Sequence, residues 1–282
     1  MSEARRQKRA IVNADDFGFS AGITEGILRA HRQGIVTSTT VIGNMPAAAE
    51  AVNRLCEAPL LGVGVHLNVS QGPPLSKAGQ ALAGEGGVMN RTATGVILDC
   101  IRRPWVLRAV EAEFEAQIQW ALDHGIRPTH LDSHRHAHAF APIFVRVARL
   151  ARRYHVRFVR WYRESLGPGW PPAMAKQERT SRLLGAMGWF NNALGRDLRG
   201  TQGTWGIAHT GRLDAAWLVQ AARRLPLGVT EIMTHPGLVD DLPAEMTRLL
   251  ESRKIELDAL CDPAVKEAFA EHDIELTHYG RL

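Results

Sequence analysis

Short apolar runs rich in β-branched residues alternate with longer segments whose apolar positions recur every three or four residues, and this alternation restricts the fold more than any other feature. Residues 9–14 (RAIVNA), 36–42 (VTSTTVI), 62–68 (GVGVHLN), 129–132 (THLD), 156–161 (VRFVRW) and 230–234 (TEIMT) read as strands. Between them, Ser20 is placed to cap a helix through Ile23, Ile27 and Ala30 that ends near Gly34. Residues 47–55 form the next helix, followed by one carrying Leu107, Val110, Phe114, Ile118 and Leu122 on one face. Further helices are expected over 142–153, 214–224 and 243–254. A strand followed by a helix, repeated, builds parallel βαβ units. About seven such units without a Gly-rich dinucleotide fingerprint predict an α/β fold of the irregular, TIM-barrel-like (β/α) type, complete or partly open.

No internal repeat or low-complexity segment divides the chain, so residues 1–282 are expected to form one domain. Two stretches interrupt the rhythm. Residues 71–103 are rich in Gly, Pro and small side chains, and 164–204 are irregular, with Trp170, Pro171, Pro172, Trp189 and Phe190. Loops this long inside a compact domain are usually lids or binding loops.

Bulk properties narrow the classes. A hydrophobic fraction of 45% with 22% charged residues is ordinary for a globular protein. Three widely spaced cysteines, Cys56, Cys100 and Cys261, form no redox or zinc-ribbon pair, which predicts a reducing, cytoplasmic setting. The polar, basic start of the chain lacks the apolar core of a signal peptide, and no apolar run reaches the roughly 20 residues that span a bilayer. The net charge of +5 owes much to Arg146, Arg149, Arg152, Arg153, Arg157, Arg160 and Arg163. No nucleic-acid motif accompanies them, so they read as a solvated basic face, open to peripheral contact with a membrane surface or an acidic substrate.

Chemistry concentrates where strands end. Asn13, Asp15 and Asp16 close the first strand, His66 the third, and the run His130-Leu131-Asp132-Ser133-His134-Arg135-His136-Ala137-His138 the fourth. Glu231 and His235-Pro236-Gly237 close a late one. In a parallel barrel the C-terminal strand ends share one rim, so these distant residues meet. Two adjacent acids after an apolar strand repel unless a cation or proton separates their roles: one can bind a metal while the other stays a base, or they are a helix N-cap and a solvated acid. Four histidines and an aspartate within residues 130–138, in a chain with 12 histidines, form a dense set of nitrogen and oxygen ligands. Two histidines with a carboxylate leave coordination positions open for water and substrate. Ligand type does not fix the metal: Mg or Zn is the expectation, with Mn, Co, Ni and Fe left open.

These motifs carry a resemblance. NADDFGFS at 13–20, GIVTSTT at 34–40, GVGVHLN at 62–68, PTHLDSHRHAH at 128–138 and EIMTHPG at 231–237, in this order, resemble the YdjC-like carbohydrate deacetylases. That family includes chitooligosaccharide and hopanoid-associated deacetylases. The resemblance implies one divalent metal ion on Asp16, His66 and His134, with Asp15 as the neighbouring base and His235 across the site as the general acid. His136 and His138 are candidates for contacting the sugar, and His130 and Asp132 for pointing into the barrel or orienting ligands. The implied reaction is metal-dependent hydrolysis of an N-acetyl group from an amino sugar, as oligosaccharide or glycolipid, by an enzyme that could form a homodimer. The residues alone leave open a phosphoesterase, a non-haem iron oxygenase and a non-catalytic carbohydrate-binding barrel.

Overall fold

The computed structural model describes residues 7–164, 170, 175–243 and 245–282. Ten strands occur there: β1 (Lys8–Phe17), β2 (Ser38–Val41), β3 (Gly62–Leu67), β4 (Gln71–Gly72), β5 (Met89–Asn90), β6 (His130–Ser133), β7 (Phe158–Val159), β8 (Thr204–Trp205), β9 (Gly228–Thr234) and β10 (Ile274–Leu276). The helices are α1 (Ala21–Gln33), α2 (Ala48–Asn53), α3 (Ala93–Arg102), α4 (Val106–Asp123), α5 (Ala141–Arg153), α6 (Ala175–Leu194), α7 (Ala215–Arg224), α8 (Leu250–Cys261) and α9 (Pro263–Glu271).

Seven strands run parallel in the order β7-β6-β3-β2-β1-β9-β8, the irregular barrel topology that the alternation predicts. The sheet curls until its edges meet. Phe158 bridges to Arg199, and Thr204 N–H donates to the Arg163 carbonyl. β10 pairs with the start of β1, below the point where β2 joins it. The antiparallel β4 and β5 lie in the 71–103 insertion.

Helices are laid on by their apolar stripes. On α5, Ile143, Phe144, Val147, Ala148, Leu150 and Ala151 are buried. Burying each large side chain of this kind contributes about 1.5–3 kcal/mol. The arginines of α5 stay outside and pair with acids on neighbouring elements, Arg146 and Arg149 with Glu111, Arg152 with Asp197 and Arg153 with Glu115. Arg160 departs from the solvated face expected of it: it is 1% exposed, because alternation along the strand turns it into the barrel.

The interior is layered by the same alternation. Ile11, Phe158 and Tyr279 form an apolar plug at the bottom. Above it lies a polar layer of Asn13, Asp132, Arg160, Thr204 and Glu231, all buried. His130 also points inward, stacked on Tyr279 with ring centroids 4.0 Å apart. Gly64 makes that possible, since a Cβ there would lie 2.5 Å from the His130 ring.

Three expectations need correction, and two elements were not foreseen. The helix expected over 243–254 runs instead from Leu250 to Cys261, where its buried positions include Arg253, Glu256, Leu257 and Leu260. Both insertions contain helix. In 71–103, α3 is capped by Thr92, whose hydroxyl accepts from Gly95 N–H. In 164–204, α6 spans 20 residues. It hides from a periodicity search because its buried positions include small and polar residues (Ser181, Gly188, Asn191), whereas Leu183, Trp189 and Phe190 are exposed. Finally, α9 and β10 follow α8, with Asp262 as N-cap and Pro263 at the first helical turn. Of the Trp-Pro-Pro segment, Trp170 is described and residues 171–172 lie outside the described residues. Among the described residues, no helix is long and apolar enough to cross a membrane.

Candidate active site

On a regular strand Asp15 and Asp16 would face opposite sides of the sheet. Here they do not. Asp15 follows Ile11 and Asn13 inward, and β1 then bulges: Ala14 pairs with Thr39 but Phe17 with Val41, leaving one extra residue on β1. Asp16 takes a positive φ of 75°, a conformation that costs a non-glycine residue free energy. The bulge swings Asp16 back over the barrel mouth, so that both carboxylates serve one site. A second such bend follows β6, where Arg135 and His136 have φ of 54° and 59° and redirect the chain after His134.

Asp16 Oδ1 is the point of convergence. His134 Nδ1 lies 3.1 Å from it and His66 Nε2 3.4 Å. Nitrogen and oxygen ligands about 2.1 Å from one tetrahedral ion lie about 3.4 Å from each other, so the spacing is already that of a ligand set. The other Asp16 oxygen is held by Arg253 of α8. On His66, Nδ1 is 2.7 Å from Asp132 Oδ1. This bond fixes Nδ1 as the donor and aims the Nε2 lone pair at the mouth, the carboxylate–histidine arrangement that orients metal-binding imidazoles. Thr40 supports both partners, 3.2 Å from His66 Nδ1 and 3.2 Å from Asp132 Oδ2.

A second grouping, Asp15, His66 and Asp132, also lies within ligand reach of itself. It is not open to a metal, because Arg160 already occupies it. The guanidinium donates to both oxygens of Asp15, at 2.7 and 2.8 Å, and lies 2.9 Å from Asp132 and 2.7 Å from Glu231. Asn13 donates to Asp15 Oδ1 at 2.8 Å. Glu231 is fixed in turn by the Thr204 and Tyr279 hydroxyls, each at 2.8 Å. Asp15 is thus held by hydrogen bonds on both oxygens beside the group that could hold a metal.

Electrostatics follow from this wiring. Burial raises the Asp16 carboxyl, but Arg253 and the two histidines outweigh it and hold it well below the ordinary range. Burial likewise raises Asp15, and the charge and hydrogen bonds of Arg160 bring it below its ordinary value, so it stays ionised at neutral pH. His66 is pushed the other way: burial lowers it, but Asp132 and the nearby acids raise it to about 9. The pocket therefore attracts positive charge to His66 Nε2, the place where a cation bound to Asp16 would sit.

His235 stands opposite, its Nε2 4.0 Å from Asp15 Oδ2 and its backbone N–H donating to Glu256 at 2.6 Å. Its Nδ1 is buried without a partner, and burial depresses it to about 4. His136, with burial lowering it to about 3, is half-buried with its ring against Tyr162 at 5.1 Å and an unpartnered Nδ1. His138 is 1% exposed and both nitrogens are engaged, Nδ1 with Ser133 at 2.6 Å and Nε2 with the Arg160 carbonyl at 3.1 Å. It braces the backbone of Arg160 and leaves no free nitrogen for a sugar. Arg253 and Glu256 carry no motif that sequence reading could have singled out, Thr40 stands in the GIVTSTT motif without a role of its own, and Arg160 was legible only as one arginine of many.

The chain belongs to the YdjC-like protein family, whose model matches residues 9–271. Among relatives, a carbohydrate deacetylase of Brevibacillus brevis is 32% identical over 97% of this chain and 99% of its own length. A carbohydrate deacetylase of Halalkalibacterium halodurans is 44% identical over a shorter stretch, 52% of this chain and 61% of that protein. A crystal structure from Enterococcus faecalis, of a protein described as a candidate for cellobiose-phosphate cleavage, superposes with a TM-score of 0.80 at 27% identity over 98% of both chains.

Proposed function

We propose that this protein is a carbohydrate deacetylase that hydrolyses the N-acetyl group of an amino sugar, such as an N-acetylglucosamine unit of an oligosaccharide or glycolipid. The observation that carries the reading is the pairing of one carboxylate oxygen, Asp16 Oδ1, faced by two imidazole nitrogens, with a second carboxylate, Asp15, tethered beside it. Membership of a family whose relatives are named carbohydrate deacetylases supports it.

Asp16, His66 and His134 would hold one divalent metal ion, Mg or Zn being the best suited to these ligands. Such an ion, when bound, acidifies a water molecule and polarises the acyl oxygen. The rest falls to side chains. Asp15, kept ionised and oriented by Arg160, takes the proton of the attacking water as its oxygen bonds to the acyl carbon. His235, across the site and neutral at the start, accepts that proton from Asp15, 4.0 Å away, and gives it to the nitrogen as the carbon–nitrogen bond breaks, releasing acetate and the free amine. Both groups are then back in their starting states. His136, which follows the bend after β6, would meet the sugar.

Acetate release, measured across N-acetylglucosamine oligomers and glycosylated lipids with and without divalent ions, tests the reading. Turnover that needs the ion and yields acetate is expected. Phosphate release from phosphoesters, a requirement for dioxygen, or no turnover on any acetylated sugar would count for the phosphoesterase, oxygenase or binding-module readings instead.

A further inference from the structure

A cavity of about 470 Å³ opens on the outer face of the barrel wall, and no residue of the candidate active site lines it. The alternation of β8 and β9 creates it. Thr204 and Glu231 point inward and bond to each other, so Gly203, Trp205 and Thr230 line the outer side. In a regular barrel the helix between β7 and β8 would cover this wall. Here α6 packs instead on α5 and on the short helical turn that carries His134 to Ala139.

Trp170 forms one side of the cavity. Its ring lies 5.5 Å from that of Trp205 and 5.1 Å from that of Trp217, and the Arg224 guanidinium sits 5.5 Å over it. Arg163 and Gln202 complete the polar lining, which contains no acid among the described residues. The Thr230 side chain also lines the cavity. It is 1% exposed, and among the described residues its hydroxyl has no hydrogen-bond partner. A buried hydroxyl left unpaired is costly, and a ligand hydroxyl would remove that cost.

These groups fit one ligand chemistry. An indole wall accepts the apolar face of a sugar ring, a hydroxyl and a carboxamide match ring hydroxyls, and two guanidiniums bind an anionic substituent. The volume falls within the roughly 300–1,000 Å³ of small-molecule sites. We infer that this cavity is a second binding site, separate from the barrel mouth, for a sugar ring bearing a phosphate or a carboxylate. It requires no catalytic group and does not depend on the reaction proposed above.

Calorimetric titration of the full chain tests it, with N-acetylglucosamine 6-phosphate, glucuronate, N-acetylglucosamine and inorganic phosphate as probes. A charged sugar is expected to bind wild type and, equally well, His134→Ala, which separates this site from the barrel mouth. The double variant Arg163→Gln/Arg224→Gln should lose at least about tenfold in affinity. Thr230→Val, nearly isosteric, should lose a smaller factor, and both variants should keep wild-type acetate release. Should the double variant fail to melt cooperatively, the loss in Thr230→Val decides. The inference is overturned if neither charged sugar binds, if the arginine or threonine variants bind as wild type does, or if His134→Ala abolishes binding. Inorganic phosphate binding as tightly as the sugar phosphate would overturn the recognition of the ring.

Discussion

Replacing Asp15 by asparagine tests the proposed base apart from the proposed metal ligands, and the size of the effect can be worked from the contacts. Asp15 accepts three hydrogen bonds, two on Oδ1 from Arg160 and Asn13 and one on Oδ2 from Arg160. An asparagine with its oxygen in the Oδ1 position keeps the first two. Its amide then faces the second guanidinium nitrogen, so one charge-assisted bond is lost at about 1.5–3 kcal/mol. Arg160 stays neutralised by Asp132 and Glu231, so the larger penalty of stranding a buried charge is avoided. For a chain of 282 residues the melting temperature should fall by about 2.5–5 °C, with cooperative unfolding retained. Bound metal, measured by elemental analysis, should stay at the wild-type level because Asp16, His66 and His134 are untouched. Turnover, followed as acetate release, should drop by about 10²–10⁴ through loss of the proton acceptor. The reasoning fails if Asp15→Asn loses metal as completely as a ligand variant does, or if it keeps a tenth or more of wild-type turnover.

Further outcomes follow from the same geometry. His134→Ala should lose both bound metal and activity, and chelation of wild type should remove activity that added divalent ions restore; activity surviving exhaustive chelation would refute the ligand assignment. Asp132→Asn removes the acceptor that orients His66, and metal affinity should fall by about 10–100-fold in a competition titration while the fold persists. Glu256 has its carboxyl raised by burial from 4.5 to about 7, against the backbone bonds from His235 and Gly211 that favour ionisation. Its folded pKa lies above its unfolded one, so its stabilising contribution is complete below about 4.5 and is lost as pH rises through about 7. Glu256→Gln, which does not titrate, should therefore gain in melting temperature relative to wild type between pH 5 and 8; a difference that stays constant across that range would show the shift to be absent.

Legibility in the sequence tracked how local each cause is. Alternation and apolar spacing act over a few residues, so most strands and the amphipathic helices α1, α4, α5 and α7 could be read directly. α6 could not, because its buried positions, Leu184 apart, are small or polar: a Cβ at Gly188 would lie 2.4 Å from the Tyr162 carbonyl, a constraint set by a distant element. The register of α8 was missed for a related reason. Arg253 and Glu256 are drawn inside by Asp16 and by the backbone of His235, neither of them a neighbour in the chain.

The sequence by itself determined the class of fold, the rim on which the chemistry gathers, and the residue types available there, since strand alternation and side-chain identity need no partner to be expressed. Tertiary structure alone decided how each carboxylate is held. A one-residue bulge in β1 turns Asp16 toward two imidazoles, and a buried arginine 145 positions away claims Asp15. Those assignments depend on where a charge is compensated in a medium of low dielectric constant, and compensation is a property of the packed interior rather than of any segment.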